Sequence, residues 1–145
     1  MHFKAEALFT SFACRMKLVW IAVGISFCCL YSSHSFSQGN AEKIYQQVKD
    51  NLPYNIQKAD ELSRRYLRLG VQSRSEEIKA KYDYLQGLIN YYRSRYYIST
   101  EYYLKATHSG YAKTDLSLME ACYNNMGINY ELQNLFPQSL KSYQK

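Results

Sequence analysis

Apolar residues recur three and four positions apart over much of this chain, which is the spacing of one face of an α-helix. The clearest series consists of Ile78, Tyr82, Leu85 and Ile89. Another consists of Leu116, Met119, Tyr123, Met126 and Tyr130. A weaker series, in a helix predicted over 53–69, consists of Ile56, Ala59, Leu62 and Tyr66. Together with a short helix predicted over 41–51, the pattern indicates an all-α protein.

Small and polar residues mark where these helices begin and end. Ser73 followed by Glu76 predicts a capping box at the start of the helix that carries Ile78. Gly110 stands where a left-handed residue would end the next helix. Pro137 is typical of a first helical turn, because its missing N–H needs no partner there.

The chain repeats itself every forty residues. Gly70 and Gly110 are forty apart, and so are Gly87 and Gly127. Three further series keep the same spacing and consist of Ile56, Tyr96 and Phe136, of Ala59, Ser99 and Ser139, and of Ser63, Tyr103 and Tyr143. Small residues in these series allow two helix backbones to approach closely. The repeat predicts helix pairs in units at about 41–79, 80–119 and an incomplete 120–145, which must stack to bury their apolar faces.

The third unit resembles the tetratricopeptide repeat in the order and spacing of its aromatic and small residues. The matching positions are Tyr123, Met126, Gly127, Tyr130, Phe136, Ser139 and Tyr143. The second unit matches at Gly87, Tyr96, Ser99, Tyr103 and Ala106, and departs at Asp83, Gln86 and Asn90. The first matches only in its second helix. The resemblance implies an α-solenoid of antiparallel helix pairs, with two and a half to three units within residues 38–145.

The resemblance also implies a concave groove, lined by the first helix of each unit, that holds a protein or peptide. In the second unit it assigns the groove to Lys81, Tyr84, Leu88, Tyr91 and Tyr92. In the third unit it assigns Ala121, Asn124, Ile128, Glu131 and Leu132. Tyrosine suits recognition because it offers a large contact area and a hydroxyl group at modest entropic cost. The alternative is that several of these tyrosines pack against neighbouring helices.

The first 37 residues have the pattern of a secretory signal peptide. Fourteen uncharged, largely apolar residues at 18–31 are too few for a membrane-spanning helix, which needs about 20. Small residues at Ser35 and Ser37 predict a cut before Gln38, and Lys17 suggests that translation begins at Met16. We therefore expect an exported protein of the periplasm or cell envelope. The alternative is an uncleaved membrane anchor.

The composition of the chain argues against most kinds of enzymatic activity. The net charge is +6, from 18 Lys and Arg against 12 Asp and Glu, which is too modest to imply nucleic acid. After the predicted cut, His108 is the single histidine and Cys122 the single cysteine, so a His-based triad, a multi-His metal site and an internal disulfide are excluded. We expect no enzyme, no cofactor and no metal. The aromatic and basic run at 91–97 fits a turn between two helices better than a nucleic-acid site.

The expected function is a protein–protein interaction scaffold. Exported arrays with long units are similar to the N-terminal sensory regions of bacterial signalling proteins, which continue into a histidine kinase or a helix-turn-helix regulator. Because Lys145 falls inside a predicted unit, we expect the protein to continue, with membrane attachment through a downstream segment. The alternatives are a free-standing adaptor for envelope assembly and the docking module of a longer enzyme. An uncapped third unit would also allow end-to-end self-association.

Overall fold

The computed structural model describes residues 39–145, and its regular structure in this range is entirely α-helical. The six helices are α1 (39–51), α2 (Ile56–Ser73), α3 (Glu76–Tyr92), α4 (Tyr96–His108), α5 (Leu116–Leu132) and α6 (Phe136–Tyr143). The all-α prediction is therefore confirmed. The predicted signal peptide, the start at Met16 and the cut before Gln38 fall outside the described residues. In the described range, no helix is long and apolar enough to cross a membrane.

Three helices begin at a polar side chain that accepts a hydrogen bond from the backbone three residues later. Asn55 caps α2, Ser75 caps α3 and Asp115 caps α5, with distances of 2.9, 3.2 and 3.0 Å to the backbone nitrogens. Two predicted boundaries are therefore wrong. The second helix begins at Ile56 rather than at residue 53, and Ser73 belongs to the end of α2 instead of capping α3.

The turns that end α2, α3 and α5 share one backbone geometry. Arg74, Ser94 and Asn134 adopt positive φ angles of 52°, 56° and 59°. After each of them, a backbone N–H donates to the carbonyl five residues earlier, over 3.0, 2.9 and 2.8 Å, which is a Schellman-type end. The left-handed position predicted at Gly110 is wrong, because α4 ends at an extended Ser109 and no glycine among the described residues has a positive φ.

The helices enclose two apolar clusters that share α3. The first, between α1, α2 and α3, buries Ala41, Ile44, Val48, Leu52, Ala59, Leu62, Tyr66, Ile78, Leu85 and Ile89. The second, between α3, α4 and α5, buries Ala80, Tyr103, Ala106, Ala112, Leu118, Cys122 and Met126. Leu88 packs against both clusters. From α2 onward each helix packs against the next one in sequence, and α3 also contacts α5.

Glycines allow a close helix crossing at the same place in the second and third units. A Cβ at Gly87 would lie 2.3 Å from the Cε1 atom of Tyr103, and a Cβ at Gly127 would lie 2.3 Å from that of Tyr143. At the first crossing the Ser99 hydroxyl also donates to the Gly87 carbonyl over 2.7 Å. The pair Gly87 and Gly127 therefore corresponds to two repeated contacts, α3 with α4 and α5 with α6. The pair Gly70 and Gly110 does not, because Gly70 packs against Ile78 whereas Gly110 has no neighbouring side chain.

A polar cluster joins the start of α2 to the end of α3. The Asp60 carboxylate accepts hydrogen bonds from Arg64 and Arg93 at 3.2 and 3.1 Å, and Gln86 lies 3.4 Å from its other oxygen. Burial acts to raise the pKa of Asp60, but these hydrogen bonds outweigh it and hold the pKa below its ordinary value. The cluster thus stabilises the α2–α3 contact only while Asp60 is ionised.

We expect Asp60→Asn to lower the free energy of unfolding by about 1 kcal/mol at pH 7, since two arginines lose a charged partner. Because the folded pKa of Asp60 is depressed, its contribution is present above about pH 4, the unfolded pKa, and is lost as pH falls through the folded pKa. Urea unfolding at pH 7 and at pH 3 gives the free energy of unfolding of both proteins. The two free energies should become equal in acid. Glu61→Gln, which alters the exposed pair with Lys58, is the control. An equal difference in the free energy of unfolding at both pH values would contradict the prediction.

Candidate protein-binding surface

The first helices of successive predicted units, α1, α3 and α5, lie beside one another. Lys81 on α3 places its Nζ atom 3.8 Å from a carboxylate oxygen of Glu42 on α1 and 2.7 Å from one of Glu77. The same ammonium lies 5.5 Å from the ring centre of Tyr45 on α1. On the other side of α3, the Asn125 amide of α5 donates to the Tyr84 hydroxyl over 3.4 Å. One lateral surface therefore contains side chains from all three helices.

Among the residues predicted to line a groove, Lys81, Tyr84 and Leu88 occupy the α3 part of this surface and are half-buried. The Tyr84 ring packs 5.8 Å from the Tyr103 ring, centre to centre. Burial raises the pKa of Tyr84, while the hydrogen bond from Asn125 acts in the opposite direction. These three residues thus contribute to the contact between helices as well as facing the surface.

Tyr91 and Tyr92 lie at the end of α3 in a small aromatic cluster. Their rings meet edge to face with centres 5.5 Å apart, and Tyr91 also lies 6.0 Å from Tyr96 on α4. Tyr91 is half-buried whereas Tyr92 is exposed. Tyr92 is therefore the member of this cluster that is free to contact a partner.

The predicted residues of α5 are more open to solvent. Asn124, Glu131 and Leu132 are exposed, and Ala121 and Ile128 are half-buried. Glu131 accepts a hydrogen bond of 3.4 Å from Ser139 on α6. Asn124 borders a depression of about 380 Å³ between α5 and α6, so it faces the α6 side of its helix, whereas its neighbour Asn125 contacts Tyr84 on α3.

Several residues of this surface were not predicted from the sequence. Glu42 and Tyr45 come from α1, where the repeat is weakest, although the apolar spacing of that helix places both beside its buried face. The Tyr45 ring also packs 5.8 Å from Tyr66. Burial, and then the neighbouring Tyr84 and Glu42, raise the pKa of Tyr45. Its hydroxyl therefore stays protonated and can both donate and accept a hydrogen bond.

Tyr111, in the segment between α4 and α5, extends the polar edge of the same region. Burial, followed by the carboxylates of Asp115 and Glu77, raises the pKa of Tyr111 to about 12. Among residues 39–145, no three His, Cys, Asp or Glu side chains are placed to hold a metal ion. The described surface thus offers aromatic rings, side-chain amides and a small network of charged groups.

The fold defines the chain as an all-α protein with a repeated helical pattern. No protein-family model matches the chain, and neither a curated protein nor a solved structure does. Its function is therefore inferred from the forty-residue repeat and from the surface of α1, α3 and α5.

Proposed function

We propose that residues 39–145 are a tetratricopeptide-like α-solenoid that binds a protein or peptide partner and has no enzymatic activity. The observation that carries the proposal is the alignment of α1, α3 and α5, whose side chains meet at Lys81 and Tyr84. The two clusters that share α3, and the repeated Gly–Tyr crossings at Gly87 and Gly127, support a stack of antiparallel helix pairs.

The surface favours a polypeptide with both polar and apolar groups. Lys81, Glu42 and Glu77 form a network of one ammonium and two carboxylates, whose small net charge does not select a strongly charged ligand. Exposed Tyr92 and Leu132 add apolar contact area at the ends of α3 and α5. The exposed amide of Asn124 can hold the backbone of an extended peptide through one donor and one acceptor.

We expect Tyr92→Ala to weaken partner binding about tenfold, because truncating an exposed aromatic anchor removes contact area without disturbing the core. A photo-cross-linking residue at 92 or 124, introduced in the native cells, first identifies the partner, and titration of that partner then gives the affinity. Arg68→Ala, at an exposed position of α2, is the matched control and should leave affinity unchanged. Equal cross-linking at 68, 92 and 124 would contradict the assignment of the surface.

For the whole protein, we propose the exported N-terminal sensory part of a bacterial-type signalling protein that contains a histidine kinase or a helix-turn-helix regulator. The alternatives are a free-standing envelope adaptor and the docking module of a longer enzyme. The intact mass and first residue of the protein isolated from its own cells distinguish them. A small species beginning at Gln38 favours the adaptor, whereas a larger membrane-associated species favours the signalling protein. A first residue at Met1 or Met16 would contradict cleavage of the signal peptide.

A further inference from the structure

The net positive charge of the described residues comes from one short segment. Residues 39–145 contain 15 Lys and Arg against 11 Asp and Glu. Between Leu62 and Ser75 the chain has four arginines and no acidic residue, whereas the other described residues carry 11 basic and 11 acidic side chains. The excess charge is therefore concentrated on α2 and the turn that follows it.

All four of these arginines are exposed. Arg64, Arg65 and Arg68 lie on the outer side of α2, opposite the residues that the helix buries, and Arg74 ends the helix. Arg64 pairs with Asp60 over 3.2 Å, but the other three make no ion pair among residues 39–145. Arg64 and Arg68 also stand four positions apart, where like charges destabilise a helix. Three guanidinium groups are thus available to an anionic partner.

The end of this basic region borders a small depression with apolar walls. The depression, about 180 Å³ in volume, lies between the end of α2 and the start of α3, and Leu67 and Val71 line it together with Arg74 and Lys79. Glu76 is the one acidic residue on its wall. Val71 is 70% exposed, although it is aliphatic. The surface therefore places aliphatic side chains directly beside basic ones.

This combination of side chains favours a lipid membrane as the anionic partner. Guanidinium groups bind phosphate in a fork geometry, and an aliphatic residue beside them can enter the boundary between headgroups and acyl chains. The outer side of a single helix is also a convex ridge, which a flat bilayer can contact along its length. A nucleic acid or an acidic peptide would use the arginines but would leave Val71 without an apolar partner.

We propose that the outer side of α2 binds the surface of an anionic phospholipid bilayer. Arg65, Arg68 and Arg74 contact headgroup phosphates, and Val71 enters the headgroup boundary. We call these four residues the basic face. It contains no residue of the surface of α1, α3 and α5, so a failure of one binding activity does not imply failure of the other.

The first test measures binding of the full 145-residue chain to vesicles by sedimentation. The vesicles contain equal amounts of phosphatidylcholine and phosphatidylglycerol. The variant with Arg65→Gln, Arg68→Gln and Arg74→Gln should bind them about a hundredfold more weakly, because each basic residue near an anionic surface contributes about fivefold to the partition coefficient. The three residues are exposed, so the core stays intact, and circular dichroism verifies the helical content.

A matched control removes the same charge from other exposed positions. The variant with Lys43→Gln, Lys113→Gln and Lys141→Gln has the same net charge as the arginine variant, and these lysines are exposed outside the basic face. It should keep most of the binding. The apolar residues 18–31 are identical in all three proteins, so any insertion of that segment into the vesicles does not account for a difference between them.

The second test locates the contact on the molecule by photo-cross-linking to the vesicle lipids. A photoreactive residue at position 71 should cross-link to phosphatidylglycerol, whereas the same residue at position 97 should not. Val71 and Tyr97 are 70% and 69% exposed, but they lie near opposite ends of α3. The two positions therefore differ in location and not in accessibility.

Several results would overturn the proposal. These are absence of binding to the vesicles, undiminished binding of the arginine variant, an equal loss in the lysine variant, and equal cross-linking at positions 71 and 97. Tighter binding of polyglutamate or of a single-stranded oligonucleotide, abolished in the arginine variant, would also overturn it. The partner of the basic face would then be an acidic polymer instead of a membrane.

Discussion

Replacing Gly87 with alanine is expected to lower the free energy of unfolding by about 2 kcal/mol, while the same replacement at Gly127 changes it little. A Cβ at either position lies 2.3 Å from the Cε1 atom of a tyrosine in the following helix. The two clashes have the same geometry, so the difference must come from how each tyrosine responds.

Tyr103, which meets Gly87, is fully buried between α3, α4 and α5, so it cannot rotate towards solvent. Overpacking such a site destabilises a protein by about 3 kcal/mol at the upper end of the usual range. The better helix propensity of alanine stabilises it by about 1 kcal/mol, which leaves a net loss of about 2 kcal/mol. Tyr143, which meets Gly127, is 43% exposed and can rotate towards solvent. At Gly127 the gain in helix propensity therefore offsets most of the energetic cost of the clash.

Urea unfolding of the two variants, followed by far-ultraviolet circular dichroism, gives both free energies. Double substitution of Gly87→Ala with Tyr103→Leu is the control for the mechanism, because a smaller, flexible side chain relieves the clash and the two effects should not add. Equal destabilisation by Gly87→Ala and Gly127→Ala would contradict the prediction. It would show that Tyr143 is held as firmly as Tyr103.

The core-facing positions of α2 and α3 were predictable because they follow a strict spacing. On α5 the predicted series was wrong at Leu116, which is 76% exposed, while Leu118 and Cys122 are buried in its place. The buried residues Ile78, Leu85 and Ile89 form one face of α3, and the forty-residue series marks the crossings at Gly87 and Gly127. The helix ends were less predictable. Ser73 and Gly110 are good capping residues by type, but the cap that forms depends on which backbone groups are left unpaired once the helices have packed.

The surface was only partly predictable for a related reason. The repeat places Tyr84 and Asn124 on helices that line the surface, but it does not say which side chain an adjacent helix covers. Contacts between α1 and α3, such as Lys81 with Glu42, join residues that do not occupy equivalent positions in the repeat. Buried polar contacts differ in the same way, since Gln86 donates to Ser63 in one unit and Asn129 donates to Ser99 in the next.

Cys122 is expected to react with iodoacetamide at least about a thousandfold more slowly in the folded domain than in urea. Burial, with a smaller contribution from Asp83, raises the pKa of the Cys122 thiol from an ordinary 9.0 to about 12. The reactive species is the thiolate, so its fraction at neutral pH falls by about a factor of a thousand. The side chain is also fully buried in the second apolar cluster, which excludes the reagent itself.

Labelling of Cys122 should therefore proceed through opening of the domain, which makes its rate a measure of stability. A loss of 2 kcal/mol in Gly87→Ala raises the open population about thirtyfold, and Cys122 should be modified faster by the same factor. Digestion and mass spectrometry of the peptide that contains Cys122 measure this separately from the cysteines at 14, 28 and 29. In the Gly127→Ala variant, whose stability is expected to change little, Cys122 should be labelled at the same rate as in the unsubstituted chain. Rapid labelling of the parent chain would instead mean that the cluster between α3, α4 and α5 opens locally, without unfolding of the domain.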